Sequence, residues 1–205
     1  MNTKIIAVAV AGATLLGSSL PAFADADHRA RALEIIKRDF KPRGQAELDR
    51  LETDGLQAIC NRTGNNPPVS IATQMQNDQL ALVKLPADGK LTGDWKSGEK
   101  LAQSGRGFTW TDKVGLPVGG NCYNCHQINP KETSFGTIGP SLYQFGKIRG
   151  NTPEMQKYVY EKIYNAKAFN LCSEMPRFGH VGALTEAQIK DLVALILDPE
   201  SPVNK

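Results

Sequence analysis

The strongest chemical signal in the chain is a short run in which two cysteines are followed by a histidine. Cys122 and Cys125 are separated by two residues, and His126 follows directly. Two thiols at this spacing can add to the two vinyl groups of one porphyrin, which places the adjacent imidazole beneath the iron. A thioredoxin-like redox pair and half of a zinc site are the alternatives, but no second Cys-x-x-Cys completes a zinc site. The motif therefore predicts one covalently bound haem c.

A haem iron bound by His126 has a second axial position, and Met175 is the predicted ligand. Met175 lies in a loop interrupted by proline and glycine, just before a well-marked helix, so its thioether can reach the far face of a haem. Met155 lies on an apolar helical stripe that is typical of a core position, and Met75 lies in a polar stretch before the haem motif. His180 is the competing ligand, and an open iron position is the third alternative.

Pro140 is predicted to support the histidine ligand. Its backbone carbonyl can accept a hydrogen bond from the ring N–H of His126 and so select one tautomer of the imidazole. The alternative is that Pro140 only turns the chain.

Two further cysteines, Cys60 and Cys172, lie outside the haem motif. In an oxidising compartment two leftover thiols most often form a disulfide, so we expect this pair to be bridged. The alternative is that Cys172 is a free thiol, acting as an exchange ligand for the iron or as a nucleophile in sulfur chemistry.

The N-terminal residues have the pattern of a secretory signal peptide, residues 1–24. Lys4 supplies a positive start, an apolar stretch follows, and Ala22-Phe23-Ala24 is a cleavage signal, so we expect a mature chain from Asp25 in the periplasm. An uncleaved anchor is the alternative. No later stretch is long and apolar enough to predict a membrane span. A formal net charge of +3, before cleavage and before haem propionates are counted, gives no indication of a nucleic-acid partner.

The chain has a mostly helical pattern, and we predict an N-terminal extension over residues 25–92 followed by a haem domain over residues 93–205. Apolar spacing predicts two helices in the extension. The pattern then breaks at residues 65–68, and residues 69–92 are predicted to be irregular or weakly extended. The residues that carry the two helical patterns are Ala32, Leu33, Ile36 and Phe40, then Leu48, Leu51 and Ile59.

Three helix starts are predicted in the haem domain. Ser97 is expected to cap the first, and Thr152 the second, with a proline in its first turn. Thr185 and Gln188 form a capping box for the last helix, which is expected to end at Asp198. The apolar face predicted for that last helix consists of Ile189, Leu192, Val193 and Ile196.

Residues 97–198 resemble the class I cytochrome c fold, with a helix, the Cys-x-x-Cys-His motif, a Gly-Pro-x-Leu stretch, a Met-Pro loop and a terminal helix. More narrowly, the chain is similar to the SoxX family, the small monohaem subunits of the SoxAX cytochrome complexes of bacterial sulfur oxidation. The stretches that carry this resemblance are 120–122, 125–127, 139–142, 175–179, 184–185, 198–199 and 201–203. Residues 25–92 have no counterpart in a minimal class I cytochrome and resemble the extended form of SoxX.

The resemblance implies that Cys122 and Cys125 attach the haem, and that His126 and Met175 are the axial ligands. It also implies that a SoxA-type cytochrome partner carries the reactive cysteine in an L-cysteine S-thiosulfotransferase reaction. That partner couples thiosulfate to a cysteine of the SoxYZ carrier protein, and a SoxX subunit passes the electrons to a downstream cytochrome.

Three other functions share parts of this pattern. An independent soluble shuttle cytochrome would use the same haem residues. A peroxidase would need an open iron position and usually a second haem, whereas the chain has a single Cys-x-x-Cys-His motif. A haem-based sensor would need an output domain, for which the sequence gives no indication.

Overall fold

The computed structural model describes residues 22–115 and 118–205, with side chains from residue 28 onward. The predicted signal peptide, residues 1–24, therefore lies outside the described residues except for its last three. The described part is helical and contains no β-strand, which confirms the mostly α fold. Its α-helices are α1 (Ala22–Asp39), α2 (Gly55–Arg62), α3 (Val69–Ala81), α4 (Trp95–Gln103), α5 (Phe145–Arg149), α6 (Pro153–Tyr164) and α7 (Glu186–Leu197).

The chain divides into two compact units, and the boundary follows Lys41. Helix α1 belongs to the first unit, and residues 42–205 form the second. The predicted division at residue 92 stays a prediction. Among the helices of the described part, none has the length and apolar character needed to cross a membrane.

The prediction that residues 69–92 are irregular or weakly extended is wrong for residues 69–81, which form α3, and correct for residues 82–92, which contain no helix or strand. Only Ala72 and Met75 of this helix pack against the neighbouring apolar cluster, and the rest of its surface is polar or exposed. Such a narrow apolar face produces almost no helical periodicity in the sequence, so the helix depends on tertiary packing.

Helices α4 and α7 cross closely in the second unit, and Gly98 lies at the crossing. A Cβ atom at Gly98 would lie 2.2 Å from the backbone oxygen of Asp191 and 3.0 Å from Cβ of Leu195. A larger side chain would therefore push the two helices apart. The predicted apolar face of α7 is buried, as expected: Ile189, Leu192, Val193 and Ile196.

The helix caps were predicted correctly in two cases out of three. Thr152 caps α6, and Thr185 with Gln188 forms the capping box of α7. The cap of α4 is Asp94 and not Ser97, because the Asp94 carboxylate accepts hydrogen bonds from two backbone N–H groups of the first turn. A carboxylate two to three residues before those N–H groups reaches more of them than a hydroxyl inside the turn can.

Candidate functional site

The Cys-x-x-Cys-His run forms a tight turn that brings its reactive groups to one place. A short 3₁₀ helix begins at Cys122, after Asn121 in a left-handed conformation with φ of 47°. The backbone N–H groups of Cys125 and His126 both donate to the carbonyl oxygen of Cys122, at 3.1 and 2.9 Å. The two thiols are unbridged and partly buried.

Helix α4 holds this turn from one side. Backbone N–H groups of Gly120 and Asn121 donate to carbonyl oxygens near the end of α4, both at 2.9 Å. The hydroxyl of Tyr123 donates to the Glu99 carboxylate at 2.9 Å and accepts from the backbone N–H of Asn129 at 3.1 Å. Burial and the Glu99 carboxylate both raise the pKa of Tyr123, so the phenol stays protonated and remains a donor.

The loop over residues 136–142 holds His126 from the other side. The carbonyl oxygen of Pro140 lies 2.7 Å from Nδ1 of the ring. A carbonyl can only accept, so in the neutral imidazole Nδ1 carries the proton and Nε2 keeps a free lone pair. A Cβ atom at Gly139 would lie 2.2 Å from Cε1 of the ring, so the imidazole packs directly against the backbone there.

The environment of Cys122 argues against a redox role for this cysteine. Cys122 packs against the main apolar core, and its burial raises the pKa of its thiol to about 12. A redox-active cysteine needs an accessible thiolate, which a lowered pKa provides. The thiol of Cys122 is therefore protonated at neutral pH.

Met175 lies in a loop that borders the same core as Cys122. Its side chain is partly buried and packs against the main apolar cluster, as do those of Tyr164 and Phe178. The backbone N–H of Met175 donates to the hydroxyl of Ser173 at 3.1 Å. The loop therefore has a defined conformation around the thioether.

The other potential iron ligands lie in different surroundings. Met155 packs against the main core, whereas Met75 packs in a second cluster around Cys60. His180 is exposed, and its pKa is lowered by partial burial of the ring and by the positive charge of Arg177. His180 is therefore more exposed than Met175, whose side chain is partly buried.

The cysteine pair that was expected to form a disulfide is bonded. Cys60 of α2 and Cys172 of the Met175 loop form a disulfide across a separation of 112 residues. Cys172 is therefore not a free thiol in this structure.

These residues fit a haem. A haem needs two thiols at one edge, an oriented imidazole with a free Nε2, and an apolar surface with a second axial donor. Cys122, Leu142, Phe178 and Met175 border one apolar cluster, and Gly139 leaves space only for the flat ring of His126.

Sequence reasoning missed three contributors to the site. Glu99 is 24 residues from Tyr123, and Arg177 is 123 residues from Asp54, with which it forms an ion pair. Neither pairing leaves a local signal in the sequence. Gly139 could have been identified, because a glycine next to the predicted support for a histidine ring indicates a close backbone approach.

Comparison with known proteins agrees with this geometry. The sequence model of the cytochrome c family matches residues 102–198. The chain is also 40% identical over 154 residues to a protein of Aquifex aeolicus (strain VF5) named "Uncharacterized lipoprotein". The aligned residues make up 74% of this chain and 73% of the relative. Residues 102–198 therefore form a cytochrome c domain. This domain has the class I-like helical fold, binds haem c covalently and serves electron transfer.

Proposed function

We propose that the cytochrome c domain attaches its haem through Cys122 and Cys125 and binds the iron through His126 and Met175. The observation that carries this proposal is the contact between His126 and Pro140, which leaves Nε2 of the ring free to bind a metal. The position of Met175 on the same apolar cluster as Cys122 supports the second axial ligand.

The residues of the chain have distinct roles in this proposal. Bound haem supplies the one-electron chemistry. Pro140 and Gly139 restrict rotation of the His126 ring, and α4 fixes the turn that carries the cysteines. The apolar core excludes water from the inner side of the site, and a dry, rigid site keeps the geometry similar in both oxidation states.

We further propose that the protein is a SoxX-type subunit of a thiosulfate-oxidising complex in the periplasm. The motifs at residues 120–122, 139–142 and 175–179 support this assignment through their resemblance to SoxX. The expected partners are a SoxA-type cytochrome, the SoxYZ carrier protein and a downstream acceptor cytochrome. A disulfide and the signal-like N-terminus support export, and the Aquifex relative is itself named a lipoprotein.

The ligand assignment is tested by haem retention and spectroscopy of four variants. C125A is expected to keep one thioether bond, and C122A/C125A is expected to lose covalent attachment, measured by acid–acetone extraction. M175A is expected to lose the sulfur-to-iron charge-transfer absorption of the ferric protein, whereas H180A keeps it. Loss of that absorption in H180A but not in M175A would sink the ligand assignment.

The partner assignment is tested on the protein purified from its native periplasm. The haem stoichiometry of the co-purifying material is measured first, and thiosulfate is then added with and without SoxYZ. A one-to-one haem-containing partner, and reduction that needs both components, would support the SoxX-type role. A protein that emerges alone and is reduced equally by unrelated donors would instead be an independent shuttle cytochrome.

A further inference from the structure

Two cross-links join the Met175 loop to the N-terminal part of the second unit, one on each side of the methionine. The disulfide of Cys172 to Cys60 lies three residues before Met175. The ion pair of Arg177 with Asp54 lies two residues after it. Both partners belong to residues 54–81, which contain α2 and α3 and which we call the α2–α3 segment.

The disulfide lies within an apolar cluster and is not an isolated surface link. Leu56, Cys60 and Leu171 are buried, and Met75 and Ala72 of α3 pack against them. This cluster is separate from the main core that borders the haem site. The α2–α3 segment therefore has its own apolar contact with the chain that leads into the Met175 loop.

Polar contacts extend the same attachment. Asn165 is fully buried, and its amide nitrogen donates to the backbone oxygen and the side-chain oxygen of Gln79 in α3, at 3.2 and 3.0 Å. Lys167 donates to the carbonyl oxygens of Leu171 and Ser173, at 3.3 and 3.1 Å. Residues 165–173 are therefore held to α3 through Gln79 and braced internally by Lys167 before the chain reaches Met175.

The chain after Met175 is held by the main core. Backbone N–H groups of Gly179 and His180 both donate to the carbonyl oxygen of Tyr164, at 3.1 Å. A Cβ atom at Gly179 would lie 2.3 Å from the Tyr164 ring. Arg177 lies between Met175 and Gly179. Its ion pair with Asp54 therefore links the C-terminal side of Met175 to the α2–α3 segment.

We propose that the α2–α3 segment is a positioning device for the axial methionine, with Asp54 and Arg177 as its positioning residues. The inference rests on the proposed role of Met175 as an iron ligand. A thioether on a surface loop is lost from the iron whenever the loop opens locally, and the population of open loops depends on the contacts that hold the loop closed. Cross-links on both sides of Met175 reduce that population.

The test uses the full-length holoprotein with D54N, R177Q and the double variant. Asparagine caps helices as well as aspartate does, so D54N removes the charge while keeping the cap of α2, where Asp54 accepts from the backbone N–H of Gln57 at 2.7 Å. The sulfur-to-iron absorption of the ferric protein is followed against urea concentration, and global unfolding is followed by circular dichroism on the same samples. The midpoint potential is measured in parallel.

The control is the ion pair of Asp88 with Lys190, which joins the chain just after the α2–α3 segment to α7 and does not flank Met175. The cation is similarly shielded in both pairs, with the side chains of Lys190 and Arg177 being 14% and 16% exposed. Lys190 keeps its ion pair with Glu186 at 2.9 Å when Asp88 is replaced. D88N is therefore expected to lower global stability by no more than D54N does, without changing the fraction of iron that keeps its methionine.

Three results decide the inference. We expect each single variant to increase the methionine-free population at moderate urea by about five- to tenfold, with the double variant little different from either one. R177K is expected to restore part of the loss. If the wild-type protein shows the sulfur-to-iron absorption and all variants lose it only at global unfolding, the positioning role is wrong and the ligand assignment stands. If the wild type never shows this absorption, the ligand assignment fails, and the positioning role fails with it.

Discussion

The carbonyl oxygen of Pro140 and Nδ1 of His126 lie 2.7 Å apart, which makes the backbone of the 136–142 loop the hydrogen-bond acceptor for the imidazole. The bonding group is a backbone atom, so the identity of residue 140 matters less than the path of the chain. Metal-binding histidines usually have such a partner on the second ring nitrogen, and it raises the basicity of the ligating nitrogen.

The first prediction concerns the contact of Gly139 with the His126 ring. G139A places a methyl group where the ring lies, 2.2 Å from Cε1, so the ring or the loop must move. We expect a lower yield of holoprotein and a shifted midpoint potential, measured by haem staining and redox titration. P140A keeps the carbonyl and is expected to change both quantities little. Equal effects from the two variants would contradict this account.

The second prediction concerns the close crossing of α4 and α7. G98A is expected to lower the free energy of unfolding by about 1 to 3 kcal/mol or more, because its Cβ would overlap the Asp191 backbone oxygen. The control is G55A, where the added Cβ has no neighbouring heavy atom within 4 Å. Urea unfolding should show G55A within about 0.5 kcal/mol of the wild type. An unaffected G98A would show that the helices can separate without loss.

The third prediction concerns the hydroxyl of Tyr123. Y123F removes one of the donors to the Glu99 carboxylate, which keeps those of the Gln103 and Asn129 side chains, and it leaves the Asn129 backbone N–H without its acceptor. We therefore expect a loss of about 1 to 3 kcal/mol in urea unfolding. Y143F is the control, because the Tyr143 hydroxyl accepts only from the neighbouring Gln144 side chain. Similar losses in the two variants would mean that the Tyr123 hydroxyl adds nothing specific.

The fourth prediction concerns the disulfide. C60S/C172S is expected to lower the free energy of unfolding by about 3 to 5 kcal/mol, since the bridge spans 112 residues and restricts the unfolded chain. Treatment of the wild type with a thiol reductant should produce the same change, because the haem thioethers do not exchange with thiols. A variant as stable as the oxidised wild type would contradict the expected contribution.

The fifth prediction concerns acid. Partial burial raises the pKa of Asp54, but the Gln57 N–H and Arg177 outweigh it and hold the pKa below its usual value. A group with a lowered pKa stabilises the fold above its unfolded pKa, about 3.9, and loses that contribution as the pH falls through its folded pKa.

The stability difference between wild type and D54N should therefore be constant from about pH 5 to 8 and decrease as the pH falls through the unfolded pKa toward the lower folded pKa. Urea unfolding at several pH values measures it. The stability difference between wild type and D88N is expected to depend on pH in the same direction. The pKa of Asp88 is also lowered, first by the backbone N–H of Lys90 and then by Lys190. An increase in the stability difference between wild type and D54N as the pH falls would contradict this prediction.

Local signals in the sequence predicted the parts of the fold that short-range chemistry decides. The capping residues Thr152 and Thr185 act on N–H groups three residues away, and the apolar face of α7 repeats with the helical period. Helix α3 was not predicted, because it depends on packing against Leu171 and its cluster rather than on its own apolar pattern. The Asp94 cap was also missed, although its carboxylate acts on backbone N–H groups only two and three residues away.

By itself, the sequence determined the chemistry of the protein, since the spacing of two cysteines and a histidine is a local covalent requirement for haem attachment. Only the tertiary structure decided which groups hold that chemistry in place. The partners of Tyr123 and of Arg177 lie 24 and 123 residues away, and chain separation of this kind leaves no trace in local pattern. Folding brings them together because burial of the two apolar clusters fixes the helices, and the polar contacts form where those helices meet.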